Sequence, residues 1–207
     1  MNDIVIATTN KPKFEQMKFA LSKLGKQYHF LSLKDIGYKK EIIEDGKTFR
    51  ENSLIKAKQV CHDTGYITIA DDSGLCVDVL NGKPGVYTSR YGGTNSTRKA
   101  QLTKLLNEIK NVSDSKRGAQ FVCVISCVFP NGEVIQTTGK LCGKLSKKIV
   151  NINDGLTHDP IFIPNGYTVT MSKLSIEKKL KINHRGRAIQ KLIMALRKTD
   201  NERFISI

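Results

Sequence analysis

The fold is decided by the stretch D-I-V-I-A-T-T-N-K-P-K (3–13), in which an apolar run passes directly into a helix start. The first half of the stretch, residues 3–8, is typical of a buried strand. Thr9 and Asn10 are residue types that cap helices, and a proline suits the first helical turn. Apolar residues then recur at helical spacing as far as Gly25. The stretch therefore predicts the strand-to-helix turn of an α/β protein.

Outward from this stretch, strands and helices alternate and then give way to a strand pair. The tripeptide P-N-G (130–132) is typical of a hairpin turn between two apolar runs. Thr48 and Glu51 form a T-x-x-E capping box, which marks a helix start. The full prediction is strands over 3–8, 27–33, 66–70, 119–129 and 133–145, helices over 11–24, 48–63, 97–110 and 184–198, and loops over 82–96 and 151–170. We therefore expect a mixed α/β fold with one central sheet.

The composition is that of a globular protein. The chain has 207 residues, of which 39% are hydrophobic and 26% charged, and this balance excludes the disordered and membrane-spanning classes. We expect one domain over residues 1–207, with room for two small lobes but not for two unrelated domains. Because no basic segment precedes the short apolar run at the start of the chain, we expect no signal peptide.

The cysteine content and the net charge indicate the compartment of the protein and the kind of ligand it binds. Five cysteines without C-x-x-C spacing argue against a disulfide framework or a structural zinc, and they favour the reducing cytoplasm. The net charge is +15, and such a field attracts phosphates on nucleic acids or on small nucleotides. Because only 8 of the 34 basic residues are arginine, the excess indicates phosphate binding or a solvated lysine surface more than a reader of base sequence.

The turn T-T-N-K-P-K (8–13) is the first candidate site. A helix N-terminus offers unpaired N–H groups and the positive end of the helix dipole, and two lysines add point charges. The turn therefore predicts a phosphate site. An ordinary capped helix with exposed lysines is the alternative.

The sequence D-D-S-G (71–74) is the second candidate site, directly after an apolar strand. Adjacent acids suit a divalent cation better than they suit core packing, and a simple turn is the alternative. Since successive strand residues point to opposite sides, we expect one aspartate to face the site and the other to brace the turn. The acidic loop 41–45 could supply a second oxygen ligand.

A basic segment before and within the last predicted helix is the third candidate. His184 and Arg185 open this helix, where positive charge is unfavourable unless an anionic or polar ligand offsets it. The pair therefore indicates a ligand, with a solvated basic helix as the alternative. A fourth stretch, G-L-T-H-D-P-I-F (155–162), is uninformative alone, because His158 has no second histidine at metal-ligand spacing.

Taken together, these stretches resemble the Ham1/inosine triphosphate pyrophosphatase family between about residues 4 and 196. The motifs that carry the resemblance are A-T-T-N-K-P-K (7–13), T-F-R-E-N-S-L-I-K-A (48–57), I-A-D-D-S-G-L-C-V-D (69–78), P-G-V-Y-T-S-R-Y (84–91), D-P-I-F (159–162) and H-R-G-R-A (184–188). Each motif is weak alone, but all six in this order are highly specific.

The resemblance implies a fold, a reaction and a cofactor. The fold is a long curved mixed sheet flanked by helices, in two lobes around a nucleotide-binding cleft, in a protein that is usually a homodimer. The reaction is the Mg²⁺-dependent hydrolysis of ITP, dITP or XTP to the nucleoside monophosphate and pyrophosphate. We therefore expect a cytoplasmic enzyme that removes non-canonical purine nucleotides, with no membrane partner and no specific nucleic-acid partner.

The family's site residues carry over to matching positions here. Asp72 matches the aspartate that acts on the metal and activates water, and Glu44 is the nearest match to a second metal ligand, with a neighbouring acid as the alternative. Lys179, His184 and Arg185 match the side that recognises the purine base. The other expected substrate contacts are Thr8, Thr9, Asn10, Lys11, Lys13, Lys56, Ser73, Leu156, Thr157, His158 and Asp159.

Three other functions compete with this reading. The same chemistry could act on other nucleotides, because the base loop departs from the family pattern. A nucleic-acid-binding module would use the +15 charge, but the acids cluster where such a face would exclude them and no recognised nucleic-acid motif is present. A catalytically silent nucleotide sensor is disfavoured because Lys13, Lys56 and Asp72 are all present.

The departure in the base loop gives a first prediction. Where the family usually has Phe-Gly-Tyr-Asp, this chain has Leu156-Thr157-His158-Asp159, and a leucine cannot stack on a purine. Since base–aromatic stacking contributes about 1–3 kcal/mol, we expect Leu156→Phe to lower KM for ITP by roughly 5- to 150-fold with little change in kcat. Steady-state kinetics of the two proteins measure this, and equal KM values would show that Leu156 is not beneath the base.

Overall fold

The computed structural model describes residues 2–93, 96–152 and 158–205, with side chains described as far as residue 198. Within these residues, six strands and five α-helices follow one another along the chain. The strands are β1 (Asn2–Ile6), β2 (Tyr28–Ser32), β3 (Ile67–Val77), β4 (Gly118–Val128), β5 (Val134–Leu145) and β6 (Phe162–Pro164). The helices are α1 (Lys11–Leu21), α2 (Phe49–Thr64), α3 (Arg98–Glu108), α4 (Ile176–Ile182) and α5 (His184–Ile205).

The strands form one mixed sheet in the order β2-β1-β3-β4-β5-β6. β1 pairs in parallel with both β2 and β3, whereas β5 and β6 are antiparallel. The parallel pairs need crossover connections, and α1 and α2 supply them. The predicted mixed α/β fold, with one central sheet flanked by helices, is confirmed.

One strand is longer than the sequence predicted. The sequence predicts a strand over 66–70 and leaves a simple turn at Asp71-Asp72-Ser73-Gly74 as the alternative to a cation site, but β3 continues through these four residues to Val77. The turn interpretation is therefore wrong. Acids are unfavourable inside a strand unless neighbouring groups compensate their burial, and sequence alone does not show those groups.

The chain divides into two compact units, each assembled from separate stretches of sequence. Unit 1 comprises the described residues within 1–72, 123–139 and 185–207, and unit 2 those within 73–122 and 140–184. The prediction of two lobes within a single domain over residues 1–207 stays a prediction.

Unit 1 has a hydrophobic core on each face of its part of the sheet. Ile4 and Ile6 of β1 pack in one core with apolar residues of α1 and α5. Val5 and Ala7 alternate with them and pack in the other core with apolar residues of α2. The continuous apolar run of β1 is explained by this burial on both sides.

Unit 2 has a core of its own around Leu75, Leu102 and Phe162. Arg117 is 2% exposed, and its guanidinium donates hydrogen bonds to the backbone oxygens of Ile109, Leu145 and Ser146 at 2.8–2.9 Å. These bonds compensate the burial of a charge and tie the end of α3 to the end of β5. No helix among the described residues is both long and apolar enough to cross a membrane.

The predicted capping box at the start of α2 is present and gives a stability prediction. The Thr48 hydroxyl accepts from the Glu51 N–H at 3.1 Å, and the Glu51 carboxylate accepts from the Thr48 N–H at 3.0 Å. We expect Thr48→Ala to lower the free energy of unfolding by about 1 kcal/mol, because an N–H at the helix start loses its acceptor.

Urea unfolding measures the Thr48→Ala effect, and Thr48→Ser is the matched control because serine keeps the hydroxyl. A serine variant as unstable as the alanine variant would show that the methyl group, and not the cap, provides the stability.

Candidate active site

The strand-to-helix turn between β1 and α1 is held by its own side chains. The Thr8 hydroxyl accepts from the Asn10 N–H at 3.2 Å, and the Asn10 side chain accepts from the Lys13 N–H at 3.0 Å. Thr9 and Lys11 are exposed. Asn10 is therefore the N-cap of α1, and the positive end of the helix dipole lies at this turn.

Asp71 is the buried centre of the site. Its side chain is 1% exposed, and its Oδ2 lies 3.1 Å from Arg185 Nε and 3.3 Å from Lys13 Nζ. The Arg185 guanidinium also donates to the Gln16 side chain at 3.0 Å. These contacts join β3, α1 and α5 at one carboxylate.

The charge of Asp71 follows from this surrounding. Burial alone would raise the pKa of Asp71, but the cations of Arg185, Lys13 and Lys56 outweigh burial and hold that pKa well below its usual range. Asp71 therefore remains a carboxylate at neutral pH. A carboxylate already paired with two cations positions them and is a poor proton acceptor.

Asp72 lies on the opposite side of the strand. Ile69 and Asp71 share the face covered by α1 and α5, so Ala70 and Asp72 share the face covered by α2. There the Asn52 side chain of α2 donates to Asp72 Oδ2 at 3.1 Å. Asp72 is half-buried, and the prediction that the two aspartates point to opposite sides agrees with these contacts.

Lys56 is the cation on the α2 side. Its Nζ lies 2.8 Å from Glu44 Oε1 and donates to the backbone oxygen of Asp71 at 3.3 Å. The acidic loop that carries Glu44 is thereby tied to the same strand as Asp72. Lys56 and Glu44 were both predicted site residues, and unit 1 brings them together with the aspartate pair.

The oxygen atoms of this cluster suit a hard divalent cation. The carboxylates of Glu44 and Asp72 are oxygen ligands of the kind that Mg²⁺ takes, and Mg²⁺ usually binds one or two carboxylates together with substrate phosphates. Two buried acceptor atoms, Asp71 Oδ1 and Asn52 Oδ1, have no hydrogen-bond partner among the described residues. The described residues contain no group of three or more His, Cys, Asp or Glu placed to hold a metal.

The predicted base-recognition residues belong to both units. In unit 2, Asp159 is paired with Lys179 at 3.3 Å, and the buried His184 ring stacks on Phe121 with centroids 5.1 Å apart. His158 is also buried in this unit. Leu156 and Thr157 lie outside the described residues.

Arg185 belongs to unit 1, and its contact with Asp71 explains why a positive charge is tolerated at the start of α5. The sequence suggested that a ligand offsets the positive charge at the start of α5, but the carboxylate of Asp71 supplies that offset. The predicted contact of Arg185 with the base stays a prediction. Asn52 and Gln16 were missed, because an amide inside a helix has no sequence signal that sets it apart from a surface residue.

The burial of His158 gives a prediction for the pH dependence of stability. Burial, aided by the charge of Arg98, lowers the pKa of His158 to about 4 from 6.5. The unfolded chain therefore binds this proton first as the pH falls. The stabilising contribution is complete above pH 6.5 and is lost towards pH 4, by up to about 3 kcal/mol.

Urea unfolding of the wild type and of His158→Tyr at a series of pH values tests this assignment. We expect the wild type to lose more stability than the variant between pH 6.5 and pH 4, since tyrosine does not titrate there. The other titrating groups are shared by both proteins. Parallel stability curves would contradict the assignment to His158.

Comparison with known proteins agrees with the motifs and with the fold. The family model of the Ham1 family matches residues 4–195. A relative from Bacillus licheniformis, named dITP/XTP pyrophosphatase, is 42% identical over 192 residues, which cover 93% of this chain and 96% of the relative. A second dITP/XTP pyrophosphatase, from Clostridium perfringens, is 38% identical over 198 residues, covering 93% of this chain and 96% of that protein.

Solved structures give the same result. The Ham1 protein of Staphylococcus aureus has a TM-score of 0.86 at 36% identity, covering 96% of this chain and 100% of that one. The HAM1 protein of Coxiella burnetii has a TM-score of 0.88 at 33% identity, with the same coverage of both chains. By sequence and by fold, this chain belongs to the Ham1 family.

Proposed function

We propose that the protein hydrolyses dITP, XTP and ITP to the nucleoside monophosphate and pyrophosphate, and so removes non-canonical purines from the nucleotide pool. Two lines support this proposal. The relatives named dITP/XTP pyrophosphatase match more than nine-tenths of the chain. The cluster around Asp71 and Asp72 combines carboxylates with lysines, as the hydrolysis of a polyphosphate requires.

The observation that carries the proposal is that the two adjacent aspartates lie on opposite faces of β3 and have different partners. Asp71 is buried against Arg185 and Lys13, so its carboxylate is committed to holding cations. Asp72 is half-buried and oriented by Asn52. One strand therefore presents a positioning carboxylate on one face and a reactive carboxylate on the other.

The lysines account for substrate charge. A triphosphate carries about four negative charges, and further charge develops on the leaving pyrophosphate as the anhydride bond breaks. Lys13 and Lys56 keep 30% and 12% of their side chains exposed, so each remains accessible to a phosphate oxygen. Asp71 and Glu44 hold these two cations in place before substrate binds.

Asp72 is the proposed general base. As the oxygen of water bonds to the α-phosphorus, the bond between that phosphorus and the bridging oxygen breaks, and pyrophosphate leaves. The proton of the attacking water passes to the Asp72 carboxylate, which Asn52 keeps in a fixed orientation. Mg²⁺, held by Glu44 and Asp72, would neutralise phosphate charge and lower the pKa of bound water.

The remaining substrate contacts belong to the same proposal. Thr8, Thr9, Asn10 and Lys11 lie in the turn at the start of α1 and would contact the triphosphate. The other proposed contacts, on or near the base, are Ser73, Leu156, Thr157, His158, Asp159, Lys179, His184 and Arg185. In unit 2 the ion pair of Asp159 with Lys179 offers both a donor and an acceptor for a 6-oxopurine.

Three further features are proposed with the function. The family resemblance supports a homodimer and a single two-lobed domain. All five cysteines are free thiols, which is compatible with work in the reducing cytoplasm. Neither a membrane nor a specific nucleic-acid sequence is needed for this reaction.

The decisive experiment assays the release of pyrophosphate and of orthophosphate from dITP, XTP, ITP, ATP and GTP in separate reactions with Mg²⁺. We expect pyrophosphate from the first three substrates, with ATP and GTP spared. We expect Asp72→Asn to lower kcat by about 100-fold or more without changing the thermal unfolding curve, because the amide can neither accept the proton nor bind the cation as well.

Asp3→Asn is the matched control, because it makes the same chemical change elsewhere in unit 1. Asp3 lies on β1 and pairs at the surface with His29 of β2. Substantial activity in Asp72→Asn would remove that residue from the proposed role. Release of pyrophosphate from all five nucleotides would support the proposed reaction but contradict the proposed selectivity for non-canonical purines. Release from none of them would overturn the proposed function.

A further inference from the structure

The outward surface of α1 and α5 in unit 1 is strongly basic, and nothing in the proposed reaction uses it. The two helices lie side by side, because Arg185 contacts Gln16 and Arg197 Nη2 donates to the backbone oxygen of Lys23 at 2.8 Å. Both helices pack on the same core, so their exposed sides form one surface. We name this surface, over residues 15–26 and 187–198, the α1–α5 face.

The charges on the α1–α5 face have nearly one sign. Its exposed cations are Lys18, Lys23 and Lys26 on and after α1, and Arg187, Lys191, Arg197 and Lys198 on α5, whereas Glu15 is its one exposed acid. The carboxylate of Asp35, which is bonded to Ser32, also lies near Lys18. A surface with seven exposed cations to one exposed acid has a positive potential that attracts polyanions.

The helical layer on the other face of the sheet in unit 1 allows the exposed charges of two layers of the same unit to be compared. Segment 34–64, which includes α2 and covers the other face of the sheet, exposes six cations and five acids, of which Asp35 is the one that lies near Lys18. A lysine surface that served solubility alone would have no reason to differ between the layers. Among the described side chains of unit 1, the basic excess is therefore localised on the α1–α5 face, and a local excess indicates a local ligand.

Two exposed apolar side chains lie among these cations. Phe19 of α1 is 75% exposed and Met194 of α5 is 71% exposed, although both helices bury other apolar residues in the core. An exposed aromatic ring beside lysines offers a face on which a nucleic-acid base can stack. A bilayer would require a contiguous apolar surface, whereas these two side chains stand among charges.

We propose that the α1–α5 face binds single-stranded nucleic acid without sequence specificity, by phosphate contacts along both helices and by stacking of a base on Phe19. The stretch of α5 from Arg187 to Lys198 is about 16 Å long. Four of the seven cations lie along it, so a strand that follows α5 can place successive phosphates beside several of them. The proposal does not depend on the hydrolytic activity.

The test uses fluorescence anisotropy of a labelled single-stranded DNA of mixed sequence with the full chain. Mg²⁺ is withheld, and an excess of ITP is added to fill the nucleotide site. We expect Lys18→Glu/Lys23→Glu/Lys26→Glu to weaken binding at least about tenfold, and to reduce the slope of log K against log salt by about 2.

The matched control is Lys39→Glu/Lys47→Glu/Lys58→Glu, which makes the same change in net charge on segment 34–64. We expect the control to retain most of the binding. Phe19→Ala should weaken binding by about fivefold or more while leaving the salt slope unchanged, because stacking is not ionic. Thermal unfolding and pyrophosphate release check that all the variants are folded.

Several outcomes would overturn the proposal. Equal losses in the two charge-reversal variants would mean that net charge alone attracts the DNA. Displacement of the DNA by ITP would assign it to the nucleotide site. Binding to vesicles of anionic phospholipid without binding to DNA would make the face a membrane surface, and no binding to either would leave it a solvated surface.

Discussion

The buried ion pair between Asp71 and Arg185 is the interaction on which the rest of unit 1 depends. A charge at 1% exposure is tolerated only where a partner compensates it, and here the compensation comes from a helix 114 residues further along the chain. Lys13 adds a second cation from α1. Removing either member of the central pair would take away the nearest compensating charge of a buried group, so the same contact that fixes α5 on the sheet also fixes the electrostatics of the site.

Because side chains alternate between the two faces of a strand, the contact that fixes Asp71 also fixes the side of β3 on which Asp72 lies. Because Asp71 is committed to the α1 and α5 side, Asp72 necessarily presents its carboxylate to α2. Asn52 and Lys56, one helical turn apart on α2, then orient Asp72 and hold the backbone of Asp71. A one-residue shift in register would exchange the two roles, which is why the strand must be held so firmly.

Local signals predicted the elements of this fold but not every boundary. The capped start of α1, the capping box of α2 and the hairpin between β4 and β5 are short-range features, so the sequence reveals them. The length of β3 was missed because D-S-G is common turn chemistry, and cations distant in sequence, Arg185 and Lys13, make a buried aspartate tolerable there. The short helix α4 was missed because seven residues carry too little periodicity.

The candidate site follows the same division between local and distant information. Residue type in the motifs pointed to the aspartate pair, the acidic loop and Lys13, whereas Lys56 and the individual roles came from the family resemblance. Motifs did not identify Asn52 or Gln16, whose roles exist only through contacts between elements. Net charge carries the least information about position, because a value of +15 is compatible both with a solvated lysine surface and with a ligand site. Among the residues whose side chains are described, the segment 34–64 of unit 1 is almost balanced in charge, whereas the α1–α5 face is almost wholly basic. A binding surface for a polyanion requires such a local excess.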